Sequence, residues 1–149
     1  MQHSPKRDEI EERFKWNLQD IYKDDAAWES DYEQMKAMLV EAAQLQGTLG
    51  QSGLQLLNGL RQIEAIDRLG DELVVYAKMR RDEDNTDSRY QALYDRAEAL
   101  MIEASSTMSF VTPELTEIPE ETLQQFMAEV EELQLYRHMF DEIYRQKEH

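Results

Sequence analysis

The sequence contains no cysteine. That excludes disulfides, thiol nucleophiles and cysteine-type zinc sites. Histidine occurs only three times, and the string His-Glu-x-x-His is absent, so no helix offers two imidazoles to one zinc. A di-iron bundle needs Glu-x-x-His on two helices, and neither copy is present. Glycine (5) and proline (3) are sparse, which leaves no phosphate-cradling loop. Basic residues are few: 16 against 32 acids, for a net charge of −16. Nucleic-acid binding, which draws most of its affinity from a basic footprint, is argued against. So is electrostatic docking onto anionic lipid. No apolar run approaches the ~20 residues that span a bilayer. Met1–Phe14 carries no apolar h-region, so no secretory signal is visible. A soluble cytoplasmic protein is the expectation, and 149 residues make one domain.

What the chain does contain is helical periodicity. Phe14, Trp16 and Leu18 alternate, but nothing else alternates to pair with them, so residues 1–23 are expected to be extended and pinned by aromatics. From Asp24 or Asp25, either a competent cap, Trp28, Tyr32, Met35 and Leu39 recur at steps of four and three, with Ala42 or Ala43 next. This helix should stop at Gly47. A second helix, capped by Ser52, carries Leu57, Leu60, Ile63, Ile66, Leu69, Leu73 and Tyr76. Gly70 within it costs up to ~1 kcal/mol relative to alanine; a close helix crossing would explain it, and a mild bend is the ordinary alternative. Arg80–Asp87 is a polar turn. Asp84, Thr86 or Asp87 then caps a third helix along Tyr90, Leu93, Ala97, Leu100 and Ala104, as far as about Phe110.

Thr112-Pro113-Glu114-Leu115 reads as a break. Pro119 suits the first turn of a short fourth helix carrying Leu123, Phe126, Met127 and Val130. A short fifth helix carries Leu135, Tyr136, Met139, Phe140, Ile143 and Tyr144. The expected fold is therefore all-α: an antiparallel bundle of three long and two short helices over residues 24–149.

Few constellations bear chemistry. His3 and His149 lie near the ends. His138 and Glu142 have the i, i+4 spacing that sharing a metal requires, but a surface hydrogen bond is the ordinary use of such a pair. Asp82–Asp87 resembles the start of a calcium loop, yet Asp87 stands where the loop needs glycine and Leu93 where it needs glutamate. Between Ala97 and Tyr136 lie nine glutamates and no base, a solvated face unless a basic partner meets it. Catalytic and metal residues are therefore expected to be absent, and no substrate-binding residue can be named. In the fifth helix Leu135, Met139 and Ile143 form one stripe, and Tyr136, Phe140 and Tyr144 a second beside it. Together they exceed the ~100° face of a one-sided helix. Tyr136, Phe140, Ile143 and Tyr144 are thus a candidate interface.

Several strings, in order, resemble the N-terminal region of oligoendopeptidase F, a zinc metallopeptidase family related to thimet oligopeptidase. They begin with Trp16-Asn17-Leu18-Gln19-Asp20-Ile21-Tyr22 and Asp25-Ala26-Ala27-Trp28-Glu29. Arg68-Leu69, Tyr76-Ala77-Lys78-Met79, Asp82-Glu83-Asp84 and Tyr90-Gln91-Ala92-Leu93 follow. Phe110-Val111-Thr112-Pro113-Glu114-Leu115, Leu135-Tyr136-Arg137-His138 and Ile143-Tyr144-Arg145-Gln146-Lys147 close the series. The resemblance implies a helical lobe forming part of the wall of a channel that admits oligopeptides. It also implies zinc held by His-Glu-x-x-His and a further glutamate much later in the family's chain. None of those positions has a match here, so no zinc or catalytic residue carries over.

Two functions follow as expectations. One is the non-catalytic lobe of a cytoplasmic zinc oligopeptidase, without a cofactor of its own, whose partners are the catalytic portion of the same enzyme and its oligopeptide substrate. The other is a free-standing helical interaction module that forms a homodimer through its fifth helix. An independent enzyme has no support without an activated nucleophile or a metal set.

Overall fold

A computed structural model describes residues 21–148. The expected extended segment lies outside the described residues except for 21–23, as do His3 and His149. The described residues are all-α, with no strand among them. The helices are α1 (Asp25–Ala43), α2 (Gly53–Glu83), α3 (Ser88–Thr107), α4 (Val111–Glu117), α5 (Glu120–Glu129) and α6 (Arg137–Lys147), with a 3-10 helix at Glu131–Tyr136 between the last two. None is long and apolar enough to cross a membrane.

The helix starts follow the capping chemistry. Asp24 accepts the Ala27 amide at 2.8 Å, Ser52 the Gln55 amide at 3.1 Å, and Asp87 the Arg89 amide at 2.9 Å. Three expectations are corrected. The run Arg80–Asp87, read as a turn, is helical as far as Glu83. The stretch read as a break at Thr112–Leu115 is helical, because Pro113 sits in the first turn of α4, where no intrahelical N–H is required. The expected fifth helix is divided: Leu135 and Tyr136 belong to the 3-10 helix and the rest to α6. The two short helices thus become three short α-helices and a 3-10 turn.

The chain forms two compact units. The first comprises residues 21–37 and Asp67–Glu103. In it, α1 and α2 run antiparallel: Asp25 meets Tyr76, and Trp28 meets Leu73. Helix α3 returns antiparallel to α2, with Tyr90 beside Arg80 and Met101 beside Gly70. The core is Trp28, Met35, Leu73, Tyr76, Ala97 and Leu100, all at most 3% exposed. Each large apolar side chain so buried contributes about 1.5–3 kcal/mol before entropy is counted. The Trp28 indole N–H donates to the Leu73 carbonyl at 2.9 Å, so the bulkiest core residue leaves no polar group unpaired.

The second unit comprises Met38–Ile66 and residues from Ala104 onward. Its core gathers Leu39, Leu45, Leu49, Leu56, Leu60 and Ile66 with Leu115, Leu123, Phe126, Leu133 and Phe140. Leu45 and Leu49 belong to the connection between α1 and α2, which is therefore a packed element of the unit. The chain turns there at Gly47, whose φ of +86° is the left-handed region that glycine enters without a Cβ penalty.

Candidate functional site

The densest polar cluster lies in the first unit, around two arginines. Arg80 donates to the Tyr90 hydroxyl at 2.6 Å and to Glu83 at 3.2 Å, and its Nε lies 3.6 Å from Asp25. Its guanidinium lies 4.6 Å from the Tyr90 ring centroid. The Tyr76 hydroxyl donates to Asp25 at 2.6 Å. Burial, and then the Asp25 carboxylate, push the Tyr76 phenol up, so it stays a donor at any ordinary pH.

Arg96 forms the second centre. It forks onto both oxygens of Glu29 at 2.5 and 2.8 Å. Its guanidinium also lies 4.4 Å from the Tyr32 ring, which is itself stacked on Trp28 at 5.2 Å. The hydrogen bonds from Arg96 hold the Glu29 carboxyl below the usual carboxylate range, against the opposing effect of burial. Between these centres lies a cleft of about 290 Å3 lined by Asp25, Glu29, Arg89, Tyr90, Leu93 and Arg96. Its carboxylates and guanidiniums already engage one another. Arg89, for instance, is held by Asp87 at 2.8 Å. The cluster clamps helices together and presents a rim of mixed charge, with no base placed to activate a nucleophile.

In the second unit a carboxylate does similar work. Glu114 of α4 accepts the Gly47 amide at 2.5 Å and the Leu49 amide at 3.0 Å. A cleft of about 280 Å3 opens beside it, lined by Gly47, Gly50, Glu114, Glu117, Ile118 and Pro119.

The four candidate interface residues lie in this unit with different roles. Phe140 is 3% exposed and belongs to the core. The Tyr144 hydroxyl donates to the Ile118 carbonyl and the Tyr136 hydroxyl to Glu64, both at 2.6 Å. Ile143 is half-buried. Leu135 is 81% exposed. It lies in the 3-10 helix and so does not share one α-helix with Met139 and Ile143. Glu142 pairs with Arg145 at 2.8 Å. Among the described residues no three His, Asp or Glu side chains converge as metal ligands, so they do not fit the zinc set the resemblance implies.

Sequence reading passed over Arg80, Arg96 and Glu114. Glu29 is 67 positions from Arg96, Gly47 is 67 from Glu114, and the Asp25 that faces Arg80 is 55 from it, although Glu83 and Tyr90 are nearer. The only local hint was Trp28 and Tyr32, one turn apart.

The chain is similar to oligoendopeptidase F over nearly its whole length. A family model described as Oligopeptidase F matches residues 114–149. Oligopeptidase PepF of Bacillus subtilis is 37% identical over 146 residues, covering 97% of this chain and 22% of that protein. Group B oligopeptidase PepB of Streptococcus agalactiae is 33% identical, covering 98% of this chain and 24% of that protein. The crystal structure of oligoendopeptidase-F from Enterococcus faecium superposes with a TM-score of 0.72 at 29% identity, covering 80% of this chain and 24% of that one. The chain thus spans less than a quarter of the length of the relatives it matches.

Proposed function

We propose, from the premise of this likeness to oligoendopeptidase F, that the chain acts as the non-catalytic N-terminal lobe of such a peptidase. In this reading it contributes part of the wall through which oligopeptides reach a zinc centre held by residues outside it. The working enzyme is cytoplasmic and hydrolyses peptide bonds in oligopeptides. The chain itself supplies no metal ligand and no step of the hydrolysis.

The observation that carries this reading is a disparity in coverage. The match takes in 97% of this chain yet only 22% of the Bacillus subtilis relative, so the matched segment is a part of a larger machine. The character of the polar cluster agrees with it. Arg80 and Arg96 spend their donors on holding α1, α2 and α3 in register, as a wall element requires.

The test is complementation in trans. The matching segment is deleted from the Bacillus subtilis relative, and this 149-residue chain is supplied as a separate polypeptide. Cleavage of a quenched fluorescent oligopeptide is expected only when both parts are present, and a chelator should abolish it. Chelator-sensitive cleavage by the 149-residue chain alone would refute the reading. So would a remnant equally active without it.

A further inference from the structure

Side chains from two helices of the first unit close on a glycine of the third. A Cβ added to Gly70 of α2 would fall on the sulfur of Met101 of α3 and lie 3.1 Å from Cε of Met35 of α1. Two thioether side chains from the neighbouring helices thus fill the notch that a side chain would otherwise take. They differ in access. Met35 has no exposed surface, and Met101 is half-buried at the edge of the crossing. Of the two, Met101 is the one a small oxidant can reach.

A hydroperoxide oxidises a thioether by two electrons. The O–O bond breaks, one oxygen becomes the S=O of a sulfoxide, and the other leaves as water or an alcohol. At Met101 the product has two courses. If the side chain stays, a strong dipole and an added atom enter a crossing whose nearest neighbours, Gly70 and Met35, offer no donor. If it swings outward, the Gly70 notch is uncovered and Met35 loses its contact. Both loosen the same three-helix crossing. Met38, Met79, Met108 and Met139 are also half-buried, but none of them lies over a glycine notch. We infer that Met101 is an oxidation-sensitive latch on the helix crossing at Gly70, opened by hydroperoxides.

The experiment is a graded hydrogen peroxide treatment of the 149-residue chain, with sulfoxide mapped at each methionine by peptide mass spectrometry and thermal melting followed in parallel. Met101 sulfoxide should form together with a fall in midpoint of roughly 3–6 °C. Met101→Leu, similar in volume and inert to peroxide, should keep most of its midpoint at the same dose, and Met79→Leu should fall as the wild type does. Methionine sulfoxide reductases should restore the oxidised wild type. Met101 remaining reduced while the other half-buried methionines oxidise would overturn the inference. Equal falls in the wild type and Met101→Leu would do the same. Should Met101→Leu itself melt early, hydrogen exchange at the Gly70 amide of the wild type decides. Faster exchange once Met101 is oxidised supports the latch, and unchanged exchange ends it.

Discussion

Trp28 shows how much one side chain can carry. It is wholly buried, donates to the Leu73 carbonyl, and supports the Tyr32 ring on which Arg96 rests. Trp28→Phe removes the hydrogen bond and leaves a void where the second ring lay. A loss of about 2–3 kcal/mol is expected, read from urea melts. Glu29 makes a different prediction. Its carboxyl is held low by Arg96, so the folded state favours the ionised form more than the unfolded chain does. The stability from this preference is present above the unfolded carboxylate pKa of about 4.3 and is lost as pH falls through the lower folded value. The advantage of the wild type over Glu29→Gln should therefore be largest near neutrality and shrink as the pH falls below about 4. A pH series of melts that gives a constant difference would contradict this.

At the scale of elements, the α1–α2 connection depends on a carboxylate from another part of the chain. Glu114 satisfies the Gly47 and Leu49 amides, and Leu49 beside them is wholly buried. Glu114→Ala should cost about 1–2 kcal/mol, since charge-assisted bonds to partly exposed amides sit at the lower end of their range. The signature is local. Hydrogen exchange at Gly47 and Leu49 should accelerate more than exchange at core amides of α2. Gly47→Ala tests the same turn from the backbone side. A left-handed φ of +86° penalises a Cβ by roughly 1–2 kcal/mol, although no atom stands within 4 Å of the added methyl. Repulsion from neighbours is therefore not the cause. A neutral result would mean that the turn readily relaxes.

For the whole molecule, the charge of −16 matters most. Self-repulsion opposes compaction and association, and salt screens it. The melting midpoint should rise when sodium chloride is added to a low-salt buffer. The same screening bears on the self-association expected through residues 135–144, which the end of the 3-10 helix and α6 share. Its best probe is Leu135, 81% exposed, not Phe140, where an aspartate would bury a charge in the core. Sedimentation velocity should show an association that strengthens with salt and is lost in Leu135→Glu. A monomer at both salt concentrations removes that proposal.

Some of this was legible along the chain because it is governed by nearest neighbours in sequence. The apolar steps through Trp28, Met35 and Leu39 and through Leu57, Leu60, Ile66 and Leu73 define helices, since a 3.6-residue period brings them onto one face. Asp24, Ser52 and Asp87 cap them because a cap acts over three residues. Gly70 was half legible: a mid-helix glycine points to a close crossing or to a mild bend, and only the positions of Met35 and Met101 choose the crossing. The likeness to oligoendopeptidase F rested on residues in order and spacing, which need no coordinates. Contacts over long separations were decided only in three dimensions. Arg96 finds Glu29, Glu114 finds Gly47, and Tyr144 finds the Ile118 carbonyl, each across 26 to 67 positions. No local period encodes such a meeting. The division of the last helix at Arg137 belongs to the same class, for no break in the apolar pattern separates Leu135 and Tyr136 from the residues of α6.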